Sequence, residues 1–129
     1  KEGDVQGHYG LPAQQKLSDL IKIKNTQPDE NIALLNAFTR LATAKGAQVV
    51  LTYPAYCKKG YFMNAAELNT LDHYYRQNII CPVIGSPKDF VMNDTLFFDT
   101  VYHLTQEGAR IRTERLARTL TPVLAISKK

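Results

Sequence analysis

The residues best equipped for chemistry stand near the carboxyl-terminal end, in Phe97-Phe98-Asp99-Thr100-Val101-Tyr102-His103-Leu104-Thr105-Gln106-Glu107-Gly108. Asp99 and His103 lie four apart, directly ahead of a predicted helix. A carboxylate beside an imidazole fixes its tautomer and stabilises the imidazolium formed when the ring takes a proton from a nucleophile. The bland reading of the same pair is a loop carboxylate capping nearby amides and a half-buried histidine. The nucleophile is the missing part. The chain has three serines, Ser18, Ser86 and Ser127. Ser86 follows a predicted strand in Gly85-Ser86-Pro87, but Pro87 blocks the helix that normally follows a nucleophile elbow, so a turn is the expectation. Asp94, Asp99 and His103 are too few for a metal centre without a second cluster, and neither a metal nor a cofactor is expected. His73 is expected on a helix surface, and His8 in a polar arm carries no reading.

The elements that must hold this loop follow from pattern. Residues 1–28 read as an arm or loop-rich segment, within which residues 14–24 lean towards a helix although Ile21 and Ile23 alternate as in a strand. Pro28 and Asp29 open a helix whose broad apolar stripe comprises Ile32, Leu34, Leu35, Phe38, Leu41 and Ala42, with Gly46 as its left-handed cap. Residues 47–53 (AQVVLTY) read as a buried parallel strand ended by Pro54. Asn64 and Glu67 have capping-box spacing ahead of a helix ending near Asn78, with Leu68, Leu71 and Tyr75 inward. Residues 79–84 read as a second strand, 96–98 as a third short extended piece, and 105–120 as a last helix with Ala109, Leu116 and Leu120 inward. The arginines at 110, 112, 115 and 118 read mostly as its solvated face.

This alternation over residues 29–129 predicts one α/β domain with right-handed crossovers. Two or three parallel strands make a thin sheet, so the chain reads as part of a larger doubly wound domain. An exposed strand edge of this kind predicts either covering sequence from upstream or a homo-oligomer formed through that edge. Ligands in such folds bind at the carboxyl ends of the strands, after Tyr53, after Ile84 and ahead of the last helix.

Composition sets the outer bounds. With 129 residues, 44% hydrophobic and 22% charged, the chain fits one domain. No apolar run reaches the roughly 18 to 20 residues of a membrane span. The net charge of +4 is spread along the chain rather than gathered with stacking aromatics, so nucleic-acid binding is not expected. Cys57 and Cys81, placed at opposite ends of the predicted strands, are expected to be free thiols. No leader is legible at Lys1, and the chain is expected to be a processed or truncated piece.

The run F-F-D-T-V-Y-H-L-T-Q-E-G-A-R-I-R-T-E-R-L, with the α/β pattern before it and Tyr53-Pro54 at a strand end, resembles the carboxyl-terminal part of an SGNH (GDSL-type) hydrolase. Gly3-Asp4-Val5 with His8-Tyr9 is similar, more weakly, to an internal G-D-x-x-x-H element of some exported members. The resemblance implies a three-layer, flavodoxin-like parallel sheet with flanking helices. It implies a serine esterase acting on an ester or acetylated saccharide, with export as a family trait. It further implies His103 as general base and Asp99 as its orienting carboxylate, with Tyr53, Tyr102 and Arg110 at the substrate. Two departures stand out. The family spacing is Asp-x-x-His, whereas three residues separate Asp99 from His103, and no serine here stands in a Gly-Asp-Ser at a strand end. The alternative is a non-catalytic α/β binding or assembly domain with a degenerate site.

Overall fold

A computed structural model describes residues 7–13, 17–18 and 20–126. Helix α1 (Asp29–Ala44) starts with Asp29 and Glu30 in its first turn, where carboxylates oppose the positive end of the helix dipole. It stops in a Schellman motif. Gly46 adopts φ +83°, its N–H donates to Thr43 O at 2.9 Å, and the Ala47 N–H returns to Ala42 O at 3.0 Å. Only part of the broad apolar stripe is used. Ile32 is buried and Leu35 half-buried, while Leu34, Phe38 and Leu41 are exposed, because no element among the described residues lies over that side of the helix.

The predicted strands are shorter and displaced. Strand β1 (Tyr56–Cys57) pairs in parallel with β2 (Val91–Met92), in the register Tyr56 to Val91 and Cys57 to Met92. Within 47–53 only Leu51 is paired, through a parallel bridge to Val83. Its N–H donates to Pro82 O, and its carbonyl accepts the Ile84 N–H, both at 2.9 Å. Pro54 and Pro82 account for the broken ladder, since neither can donate the N–H that a continuous strand needs. The molecule is thus mixed helix and strand around a two-stranded parallel sheet. Residues 96–98 do not form a third strand of that sheet. A 3₁₀ turn (Asp94–Leu96) is followed by Phe97 in an antiparallel bridge to Leu104.

A six-residue helix, α2 (Lys58–Met63), separates β1 from α3 (Ala65–Asn78), a feature not read from the sequence. The capping box expected at Asn64 and Glu67 does not form. Asn64, 5% exposed, instead accepts the Ile23 N–H at 2.8 Å and donates to Ile21 O and Gly60 O, while Glu67 pairs with Lys22 at 2.6 Å. These bonds draw residues 21–23 into an extended path, and the helix expected over 14–24 is absent from its described residues. Asn36 clamps α1 to the end of α3, donating to Asn78 O at 2.8 Å and accepting the Ile80 N–H at 3.0 Å.

The last helix, α4 (Gln106–Ile126), runs six residues past its expected end and continues through Pro122. Its arginines divide. Arg112 donates to Tyr53 O at 2.7 Å and lies 4.4 Å over the Phe90 ring, and Arg115 donates to Val91 O at 2.7 Å. Both therefore fasten α4 to the strand ends instead of lying on a solvated face, whereas Arg110 and Arg118 are exposed.

Two apolar clusters result. Ile32, Ile79 and Cys81 form one between α1, α3 and the 79–84 segment; Cys57, Met92 and Phe97 form the other beneath the Asp99–His103 loop. The two cysteines are buried, unbridged and in separate clusters. Burial pushes the Cys57 thiol up. We expect both to resist alkylation in the folded protein and to be labelled fully in denaturant without reductant, read by mass. Absence of labelling in denaturant would contradict this placement.

Candidate active site

Asp99 and His103 meet in a tight loop. The Thr105 N–H donates to Leu96 O at 2.9 Å, and the Phe98 N–H donates to His103 O at 2.7 Å, closing the loop at its base. Inside it, the His103 N–H donates to the Thr100 hydroxyl at 3.1 Å. His103 Nδ1 lies 3.0 Å from Asp99 Oδ1. An ionised carboxylate can only accept, so Nδ1 carries the hydrogen and Nε2 is left as the basic position of the ring. The three intervening residues fit because Thr100 to Tyr102 wrap around the hydroxyl-to-amide bond. The spacing, longer than the family pattern by one residue, is compatible with direct contact. The His103 side chain is 53% exposed, open enough for a reactant to approach.

The loop is fastened to α4 by a close backbone approach. The Thr105 hydroxyl donates to Leu96 O at 3.2 Å and accepts the Gly108 N–H at 3.1 Å. A Cβ on Gly108 would stand 2.3 Å from Leu96 O, so only glycine lets the first turn of α4 lie against this carbonyl.

Of the other sequence candidates, Tyr102 lies at the dyad, with its ring edge-on to His103 at 5.7 Å, and is 62% exposed. Tyr53 is elsewhere in the fold and 4% exposed; its phenol donates to Asp72, and burial together with that bond raises its pKa strongly. Arg110 lies on the exposed side of α4, paired with Glu107 at 2.7 Å and with Glu114. The Ser86 hydroxyl and N–H both donate to Asp89, ahead of a 3₁₀ turn (Pro87–Phe90), which is a turn and not an elbow. Ser18 bridges Thr100, its N–H donates to Asp99 O at 2.9 Å, and residues 20–25 are not helical, so it stands at no strand-to-helix elbow. Ser127 and the Gly3-Asp4-Val5 element lie outside the described residues. Among the described residues no three His, Cys, Asp or Glu side chains gather as a metal site. Asp94 instead accepts the Lys59 N–H at 3.2 Å.

Sequence reasoning passes over His8. A turn closed by the Leu11 N–H on His8 O presents its ring to the dyad loop. His8 Nε2 is 2.8 Å from Leu104 O, and its ring is stacked on that of His103, with centroids 6.2 Å apart and 14° between planes. The two histidines are 95 positions apart with no shared pattern, so nothing local announces the contact.

An apolar depression of about 210 Å³ adjoins the loop at Val101 and Tyr102. It shares Ile23, Tyr56 and Leu68 in its lining with a second depression, of about 370 Å³, between α1 and α3. Burial at this junction pushes the Tyr56 phenol up to about 12.

No family model, no curated protein and no solved structure matches this chain. No helix among the described residues is long and apolar enough to cross a membrane.

Proposed function

We propose that this chain is the carboxyl-terminal part of an SGNH-type serine esterase and supplies the Asp and His of its triad. The observation that carries this reading is the 3.0 Å contact from Asp99 Oδ1 to His103 Nδ1, in an open loop ahead of the last helix. That arrangement suits His103 Nε2 to take the proton of a serine hydroxyl and return it to the leaving alcohol, with Asp99 stabilising the imidazolium in between. The serine and the oxyanion donors come from outside these residues, because neither Ser18 nor Ser86 stands at a strand-to-helix elbow and no serine in the sequence lies in a Gly-Asp-Ser. The substrate is an ester, an acetylated saccharide being the form that the family resemblance suggests, and the apolar walls beside Tyr102 are compatible with an uncharged acyl group.

The finer architecture, a three-layer flavodoxin-like sheet, belongs to the same proposal. Three open features support it: a parallel sheet of only two strands, the uncovered Leu34, Phe38 and Leu41 of α1, and the apolar depression between α1 and α3. Parallel sheets are stable when covered on both faces, and further strands and helices would supply that cover. Export, as in similar family members, is part of this proposal.

Treating the 129-residue chain with a fluorophosphonate probe and a small acetyl ester, alongside light scattering, tests the reading. No labelled serine, no ester turnover above buffer and concentration-dependent association through the open sheet edge are expected. Labelling at Ser86 that vanishes in Ser86→Ala would show instead a complete small hydrolase. A strict monomer at high concentration would show that the edge is covered within the chain.

A further inference from the structure

Building on the dyad reading, we infer that His8 is a positioning residue for His103, setting the plane in which the imidazole presents Nε2. Four contacts of His8 bear on this role. The carbonyl of Leu104 can only accept, so His8 Nε2 carries a hydrogen and donates it across 2.8 Å to the carbonyl of the residue after His103. The two rings lie nearly parallel, 14° apart with centroids at 6.2 Å, which sets the His8 ring alongside the His103 imidazole. His8 is itself held by Phe98, with ring centroids 5.0 Å apart, and by Tyr9, edge-on at 5.0 Å.

The loop explains why such a contact matters. His103 is half exposed, and among the described residues its own hydrogen bonds run to Asp99, Thr100 and Phe98, all within or beside the same short loop. A bond from His8 ties that loop to a segment some 95 residues away in sequence.

The test uses nitrogen-15-labelled protein and long-range proton–nitrogen spectra of the histidine rings. In the unaltered chain the His103 Nδ1–H is expected as a resolved signal protected by Asp99, and Asp99→Asn should remove it. In His8→Ala the solvent exchange of that proton should rise about tenfold, or the signal should broaden beyond detection, as expected for losing one hydrogen bond and one ring contact. His8→Gln, which can still donate to Leu104 O, should recover most of the protection. His8→Phe, which keeps only the ring, should recover less. Protection unchanged in both His8→Ala and His8→Phe would overturn the role of His8 while leaving the dyad intact. Absence of the Asp99-dependent signal from the unaltered chain would overturn the dyad as well, so the two failures are distinguishable.

Discussion

If His103 is the general base proposed above, exchanging it for Gln in a protein that also holds the serine is expected to lower kcat/KM for a small acetyl ester by about a millionfold, the scale on which removal of a general base disables a triad. Glutamine retains polarity but has no basic nitrogen to take the serine proton. Asp99→Asn should cost about ten-thousandfold, for a different reason. An amide at 99 can donate to Nδ1, which moves the ring hydrogen to Nε2 and leaves no lone pair facing the reactant. Since Asp99 touches His103 Nδ1 directly at 3.0 Å, the effect should fall on kcat, with KM little changed. Steady-state kinetics on both variants, with far-ultraviolet circular dichroism to show retained folding, check this. A fall of less than tenfold in either folded variant would contradict the triad roles.

Gly108→Ala is expected to destabilise the fold by about 2 kcal/mol, or roughly 8 °C in Tm, a large effect for one added methyl group. Alanine is the better helix former by nearly 1 kcal/mol, so propensity alone predicts stabilisation. The steric term opposes it and is larger. The new Cβ would need to displace Leu96 O from 2.3 Å, and that oxygen accepts both the amide and the hydroxyl of Thr105. The α4 start and the dyad loop hang on the same carbonyl, so the variant should also increase solvent exchange of the His103 Nδ1–H. Thermal denaturation decides the sign, and a Tm equal to or above that of the unaltered chain would contradict the close approach.

The helices are legible in the sequence because their signals are local. The acidic first turn and Gly46 bracket α1, and the spacing of Leu68, Leu71 and Tyr75 marks the inner face of α3. The strands are legible only as places. Leu51 and Val83 do pair in parallel, but Pro54 and Pro82 cut both runs, and the longest ladder lies at Tyr56–Cys57, a segment with no strand-like alternation. The Asn64–Glu67 pattern misleads because each side chain has a better partner more than 40 residues away, in the 21–23 segment. The contact of Asp99 with His103 is readable from their spacing. The stacking of His8 is not, since it depends on where residues 7–13 lie in space. Arg112 and Arg115 mislead for the same reason: helical periodicity shows a face, and only the fold shows that strand carbonyls lie under it.

Whether His103 serves a serine is the central question, and fluorophosphonate labelling of the natural gene product that contains this chain, with the labelled residue located by mass spectrometry, tests it directly. One labelled serine is expected outside residues 1–129, in a Gly-Asp-Ser after an apolar strand, with labelling lost in His103→Gln and retained in Arg118→Ala. A natural product that carries no labelled serine, or one whose labelling is indifferent to His103, would contradict the triad role of this loop.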